Sequence, residues 1–89
     1  MRIDLAPGDD PVAVARAATA ESLVLVWPSP SVRAALARAV VEGLAVERAP
    51  GGRVNAVLAA AGADPAHLAA AVAFLERARS TTGQLIEVS

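Results

Sequence analysis

The chain has 89 residues, of which 55% are hydrophobic and 2% aromatic, and its formal net charge at pH 7 is −1. This length corresponds to one domain, and interspersed charges with only two aromatic side chains argue against a nucleic-acid-binding surface. The absence of cysteine excludes a disulfide framework, a cysteine-based zinc site and a thiol nucleophile, while no apolar run approaches the roughly 20 residues of a membrane span.

The first part of the chain predicts a short strand, a helix and a core strand. Residues 3–5 alternate apolar and charged side chains, as in a short strand. Asp10-Pro11 is typical of a helix N-terminus, because Asp caps free amides and Pro fits the first helical position. The helix is expected to end near Ala20. Residues 22–27 read SLVLVW, a continuous apolar run that suits a parallel strand buried on both faces.

A long helix and a third strand follow. Ser29-Pro30 repeats the capping pattern and predicts a helix over residues 30–48, and residues 53–58 (RVNAVL) predict the next core strand. The apolar face of this helix is wider than one contact with a sheet requires. It consists of two neighbouring stripes, one formed by Val32, Leu36, Val40 and Leu44 and the other by Ala37, Val41 and Ala45.

The last part of the chain predicts a third helix and a fourth strand. Asp64-Pro65 opens the helix, Thr82-Gly83 forms a turn, and residues 85–88 form the strand. The resulting β-α-β-α-β-α-β order predicts a single α/β domain over residues 1–89, with a four-stranded parallel sheet covered by helices.

Several short runs resemble the C-terminal half of the short-chain dehydrogenase/reductase family. Residues 53–57 (RVNAV) resemble its sixth strand, residues 33–50 its long helix after the catalytic tyrosine, and residues 64–84 its last helix and the start of its last strand. The resemblance covers residues 29–89 in the family's order and more loosely residues 1–28. It implies a small, truncated Rossmann-like fold.

The same resemblance implies that this chain does not catalyse a reduction. It aligns Ser29 with the family's tyrosine and Arg33 with its lysine, and the chain contains neither Tyr nor Lys. A serine hydroxyl is a far weaker acid than a phenol, and a guanidinium is a planar fork rather than a compact ammonium. No G-x-G-x-x-G turn is present. We therefore expect no catalytic residue, no cofactor and no metal.

Simpler structural roles account for most of the conspicuous polar residues. Ser29 is better explained as a helix cap than as a nucleophile, and Arg33 as a solvated surface residue than as an anion contact. His67 is the only histidine and is expected to be exposed. Asp9 and Asp10 are read as loop and cap rather than as paired carboxylates. The chain's single tryptophan is expected to cover the end of the core, with a ligand pocket as the alternative.

The excess of apolar residues predicts an interaction with another chain. Alanine alone supplies 23 of the 89 residues, and a chain this short buries only roughly 60% of the surface that its unfolded form exposes. By the same resemblance, the long helix and the last helix and strand correspond to elements that form subunit interfaces in the family. The predicted interface residues are Leu36, Val40, Val41, Leu44, Phe74, Leu85 and Ile86.

The predicted function is therefore that of a non-catalytic, cytoplasmic protein that acts by oligomerisation. Its partner is a second copy or a full-length short-chain dehydrogenase/reductase, and neither nucleic acid nor a membrane is expected. Two alternatives remain open. One is a subunit that completes the site of an NAD(P)-dependent oxidoreductase in trans, and the other is a small ligand-binding module at the strand ends near Trp27 and Ala59.

Overall fold

The computed structural model describes residues 1–28 and 33–89. In this part of the chain, four strands form one parallel sheet, and their order in the sheet follows their order in the sequence. The small Rossmann-like α/β fold is thus confirmed. The strands are β1 (Arg2–Asp4), β2 (Ser22–Pro28), β3 (Arg53–Ala59) and β4 (Leu85–Val88), and the helices α1 (Pro11–Ala17), α2 (Ala34–Arg48) and α3 (Pro65–Arg77) connect them in turn.

The two central strands are buried on both faces, as their apolar runs predict. Successive side chains of a strand point to opposite faces, so Leu23, Leu25 and Trp27 of β2 pack in the core under α1 and α2. Val24 and Val26 pack in a second, smaller core under α3. Helices therefore cover both faces of the sheet, with two on one face and one on the other.

This distribution of helices gives the three crossovers different hands. All strands are parallel and each new strand is added on the same side of the last one, yet α3 packs on the face opposite to α1 and α2. The β3-α3-β4 crossover therefore has the opposite hand to the first two. Because right-handed crossovers are the strong rule in parallel sheets, one unusual connection is built into this fold.

Two helices are shorter than the sequence pattern predicts. Helix α1 ends at Ala17 because Ala18 adopts an extended conformation with ψ of 137°. Helix α2 begins at Ala34, preceded by Arg33 as an extended N-cap that makes no side-chain capping hydrogen bond. The predicted cap Ser29, with Pro30 and Val32, lies outside the described residues.

Helix α1 is joined to α2 by a half-buried arginine at the end of α2. The guanidinium of Arg48 donates from Nη1 to the carbonyl oxygen of Ala20 at 2.8 Å and from Nη2 to that of Ala15 at 3.0 Å. Nη2 also donates to the carbonyl oxygen of Ala18. A single side chain thus satisfies carbonyl groups at the end of α1 and in the loop that follows.

The connection between α3 and β4 is held by side chains of β3. Arg53 Nη1 donates to the carbonyl oxygen of Ala78 at 2.7 Å. The fully buried Asn55 donates from Nδ2 to the carbonyl oxygen of Thr81 at 2.9 Å and accepts at Oδ1 from the backbone nitrogen of Gln84 at 3.1 Å. These contacts explain what two residues of the RVN run do in this chain: they fix the returning loop against the sheet.

The Asp-Pro helix starts behave as the sequence predicts, and they permit a direct test. Asp10 Oδ1 accepts hydrogen bonds from the backbone nitrogens of Val12 at 3.0 Å and Ala13 at 3.2 Å, and Asp64 Oδ1 accepts from Ala66 at 2.8 Å.

We expect Asp10→Ala to lower the free energy of unfolding by about 1 kcal/mol, because the cap is lost. Asp10→Asn, which keeps the accepting oxygen, is the matched control in urea denaturation. Equal stability of Asp10→Ala and the parent chain would contradict this role.

Candidate functional site

The outward face of α2 is apolar along most of its length. Leu36 is 60% exposed and Val46 is 78% exposed, and Ala39 and Gly43 are exposed between them. At about 100° per residue these four positions fall within an arc of about 80°. The core-facing residues Ala37, Val41, Leu44 and Ala45 lie on the opposite side of the helix. A helix that covers a sheet normally presents polar side chains to solvent, so this face, hereafter the outward stripe, is unusual.

Charged side chains flank the outward stripe without crossing it. Arg38 and Glu42 are both exposed on one flank, and within the described part of the chain neither forms an ion pair. On the other flank, Glu47 accepts from Arg16 Nε at 2.9 Å, which ties it to α1. One flank therefore offers a free positive and a free negative charge, four residues apart.

A shallow groove adjoins the C-terminal half of the outward stripe. It has a volume of about 400 Å³ and lies between α2 and the loop before β4. Val46 belongs to both the groove and the outward stripe. The groove is lined by Glu42, Ala45, Val46 and Ala49 of the α2 side and by Thr82, Gly83 and Gln84 of the loop. The groove thus joins the C-terminal end of the outward stripe to a polar loop.

The predicted interface residues of α2 separate into two groups in the structure. Leu36 is exposed and Val40 is half-buried, whereas Val41 and Leu44 are buried in the core of this chain at 0% and 4% exposure. The side chains of the second pair are therefore not accessible to a partner. One part of the wide apolar face of α2 packs on the sheet and the other part is exposed to solvent. The periodicity of the sequence did not distinguish these two parts.

The predicted interface residues of α3 and β4 separate in the same way. Phe74 is 55% exposed and Ile86 is half-buried, while Leu85 is buried at 8%. Ile86 packs with Val88 at the margin of the core under α3. Phe74 is accordingly the most accessible large side chain of this second apolar area.

The residues at the carboxyl ends of the strands take structural roles. Trp27 is only 6% exposed and belongs to the core, as the simpler interpretation predicts. Arg33 is exposed at the start of α2, and Ser29 lies outside the described residues. His67 is exposed, with Nε2 3.9 Å from an Asp64 carboxylate oxygen. A cavity of about 300 Å³ opens at this edge, lined mainly by apolar side chains and the loop over residues 59–63.

Among residues 1–28 and 33–89, no group of three or more His, Cys, Asp or Glu side chains is placed to hold a metal ion. In the same ranges, no helix combines the length and the apolar character that crossing a bilayer requires.

Fold and site together define a small Rossmann-like domain with an accessible apolar helix face. A comparison with protein-family models matches residues 8–88 to the SDR-like family, described as "Short chain dehydrogenase-like protein". Because the match spans most of the chain, this protein belongs to the family of short chain dehydrogenase-like proteins, which confirms the predicted resemblance. Searches of curated proteins and of solved structures found no match.

Two of the three described helix N-termini, those of α1 and α3, do not fit the dinucleotide that such a fold implies. Rossmann-like folds bind a pyrophosphate at this edge through free amides at a helix N-terminus. Here Asp10 and Asp64 already cap the amides of α1 and α3. In the loop after β1, the backbone nitrogen of Ala6 donates to Asp9 Oδ2 at 2.8 Å. At the N-termini of α1 and α3 these carboxylates would repel a diphosphate, whereas the N-terminus of α2, preceded by Arg33, has no side-chain cap.

Proposed function

We propose that this chain is a non-catalytic short chain dehydrogenase-like protein that acts by associating with another protein chain through the outward stripe of α2. The partner is a second copy or a full-length short-chain dehydrogenase/reductase, and the expected compartment is the cytoplasm. The observation that carries the proposal is the solvent-exposed row of Leu36, Ala39, Gly43 and Val46 on a helix whose other side is already packed on the sheet.

The exposure of these apolar side chains favours a role in association. Leu36 and Val46 are two of the four large hydrophobic side chains that are exposed in the described residues. They share one helix face, and no charged side chain lies between them along it. Contiguous exposed apolar surface of this kind marks interaction sites in soluble proteins.

The chemistry of the chain supports the non-catalytic part of the proposal. The family resemblance implies a reduction step that requires a tyrosine and a lysine. The sequence contains neither residue. The position aligned with the lysine holds Arg33, an exposed residue with an extended backbone at the start of α2. Together with the carboxylate caps at the N-termini of α1 and α3, this favours a pseudoenzyme.

Size-exclusion chromatography with light scattering tests the proposal on the purified chain. We expect a mass above that of the monomer at high protein concentration, and a shift to monomer in Val46→Glu, because a charge then sits in the apolar contact. Ala69→Glu is the matched control, since Ala69 is exposed on α3, which packs on the opposite face of the sheet. A chain that remains monomeric alone and with full-length reductases of its host would overturn the proposal.

A cofactor titration separates this role from the alternative of a subunit that completes a site in trans. We expect no change in NADH or NADPH fluorescence on adding the chain alone. With a full-length reductase from the same host, an oligomer whose turnover requires this chain would support the alternative. An oligomer in which the reductase turns over NADH or NADPH equally well with and without this chain would support the proposal.

A further inference from the structure

We infer that the free edge of β1 pairs with the same edge of a second copy of the chain. The two strands run antiparallel about a two-fold axis at Ile3, which places Arg2 of one copy opposite Asp4 of the other and joins the two sheets into one continuous sheet. This contact goes beyond the proposed function, because it involves neither α2 nor the outward stripe.

The outer edge of β1 offers backbone groups to a further strand. In the described part of the chain, β1 is the first strand of the sheet and pairs with β2 on its inner side. The carbonyl oxygen of Met1 accepts a hydrogen bond from β2, and the backbone nitrogen of Leu5 donates one to it, each at 2.9 Å. Successive residues of a strand bond alternately to its two sides. The N–H and C=O groups of Arg2 and Asp4 therefore point away from β2, to the free edge.

An antiparallel strand centred on Ile3 matches these groups. In an antiparallel pair, opposed residues alternate between pairs that exchange two backbone hydrogen bonds and pairs that exchange none. Ile3 opposite its copy is a pair without hydrogen bonds, so each pair of Arg2 with Asp4 exchanges two. All the outward backbone groups of both residues then have partners in both copies. The bonding pattern of β1 thus fixes this register.

The charged side chains of β1 have the same two-fold symmetry. Arg2 and Asp4 are exposed on the sheet face opposite to Ile3, and within the strand Nη2 lies 3.0 Å from Oδ1. In the antiparallel pair each of them also stands opposite a residue of the other sign, so the four charges alternate. Opposite charges stabilise a cross-strand pair, and like charges destabilise it. A parallel pair in the same register would set Arg2 beside Arg2, so charge complementarity favours a second copy in the antiparallel orientation.

The other face of β1 contributes an apolar contact. Ile3 and Val14 of α1 are both half-buried and pack against the margin of the core. Arg16, two residues after Val14, binds Glu47 of α2 at 2.9 Å and so marks the side of α1 that faces α2. Two residues correspond to about 200° around a helix, so Val14 lies on the side away from α2. Across the two-fold axis these apolar side chains face their copies, and pairing removes them from water.

The contact is weak because β1 is short. A pair of three-residue strands buries far less surface than a stable dimer needs, so we expect a dissociation constant on the order of 0.1–1 mM. Size-exclusion chromatography dilutes the chain below this concentration. The mass of the eluting chain therefore reports association through the outward stripe, and the shift to monomer expected for Val46→Glu is unaffected.

Disulfide trapping detects such a weak contact, because the chain contains no cysteine of its own. The reporter is Ile3→Cys in a chain that also carries Val46→Glu, which removes association through the outward stripe. Opposed residues without hydrogen bonds have Cα atoms about 4.5 Å apart, within the reach of a disulfide. At a protein concentration near the dissociation constant, we expect this chain to form its self-disulfide at least about tenfold faster than Ala69→Cys in the same background. Ala69 is exposed on α3, on the other face of the sheet.

Reversal of one charge is expected to abolish the pairing, and mixing two reversals is expected to restore it. Arg2→Asp leaves two negative side chains on β1 and Asp4→Arg leaves two positive ones, so each variant repels its own copy. A mixture of the two variants is complementary at both positions. With Ile3→Cys as the reporter, each variant alone should fall to the level of Ala69→Cys, while the mixed disulfide should recover the level of the unreversed chain. The fold is expected to persist, because only an exposed ion pair is lost.

A second set of variants checks the register without changing Ile3. Arg2→Cys and Asp4→Cys, one of them carrying an affinity tag, are oxidised separately and as a mixture. In the antiparallel register the two different positions have Cα atoms about 5.5 Å apart, whereas each position lies about 8 Å from its own copy. We therefore expect the mixed disulfide to exceed either self-disulfide by roughly tenfold.

The outcomes separate this inference from the proposed function. Self-disulfides of Arg2→Cys and Asp4→Cys in excess of the mixed product would overturn the antiparallel register. Trapping at the level of Ala69→Cys throughout would overturn the inference, and an oligomer that Val46→Glu dissociates would leave the proposed function intact. Trapping at Ile3→Cys that survives both charge reversals would also overturn the inference. Charge-dependent trapping at Ile3→Cys, in a chain that never associates through the outward stripe, would support the inference and contradict the proposed function.

Discussion

Replacing Asn55 by leucine is expected to lower the free energy of unfolding by about 1–3 kcal/mol, because two hydrogen bonds to the loop before β4 are lost and each contributes about 0.5–1.5 kcal/mol. Asn55 is fully buried, and its amide bridges the carbonyl oxygen of Thr81 and the backbone nitrogen of Gln84. Leucine has a similar volume but neither donates nor accepts, so the loop before β4 would lose both of its hydrogen bonds to this side chain. The midpoint of thermal unfolding should fall by about 5–20 °C for a domain of this size.

Urea denaturation followed by circular dichroism measures this effect, and the neighbouring loop residues supply the controls. Thr81 and Gln84 contribute only backbone atoms to the contact with Asn55. Thr81→Ala and Gln84→Ala should therefore stay within about 0.5 kcal/mol of the parent chain. If Asn55→Leu were as stable as these controls, the amide would not be what holds the loop.

Replacing Arg48 by methionine is expected to lower the free energy of unfolding by about 2–4 kcal/mol, since a hydrogen bond to a charged group contributes about 1.5–3 kcal/mol and the bonds of one half-buried side chain do not add in full. The guanidinium satisfies the carbonyl oxygens of Ala15, Ala18 and Ala20, at the junction of α1 with the following loop. Methionine retains the apolar stem of the side chain and removes the donors. Arg48→Lys should recover only part of the loss, because an ammonium cannot reproduce the planar fork.

Chemical denaturation and amide hydrogen exchange together locate the Arg48 effect. Exchange should accelerate first in residues 15–20, whose carbonyl groups the guanidinium binds. Arg77→Met is the matched control, because Arg77 is exposed and forms no ion pair within the described residues. Association of a still-folded Arg48→Met chain should be unchanged, since the outward stripe lies on another side of α2. Uniform exchange across the chain would contradict a local role for Arg48.

The elements of the fold were predictable because their signals are local. The apolar runs of β2 and β3, and the Asp-Pro starts of α1 and α3, each depend on neighbours within a few residues. The C-terminal end of α1 was less predictable, since Arg48 reaches its carbonyl groups from about thirty residues away. Long-range hydrogen bonds of this kind leave no periodic pattern in a sequence.

The candidate site was predicted only in part, for a reason visible in α2. Its apolar positions cover most of the helix circumference, so the pattern predicted a surplus but not its direction. Leu36 is on the exposed side, whereas Val41 and Leu44 are in the core. Gly43 and Val46 were missed because a glycine, and a valine outside both predicted stripes, do not stand out in the pattern. A search for apolar positions opposite the sheet-facing ones would have found them.

By itself, the sequence determined the class of fold, the family resemblance and the absence of the tyrosine and lysine that the family's chemistry needs, because these depend on residue identity and local order. The tertiary structure decided which apolar residues remain in water. Packing on one sheet face turned Ala37, Val41 and Leu44 inward and left the row from Leu36 to Val46 outward. It also placed α3 on the opposite face, which no local pattern encodes. Burial is a property of the packed chain, since one apolar side chain becomes core or surface according to what lies against it.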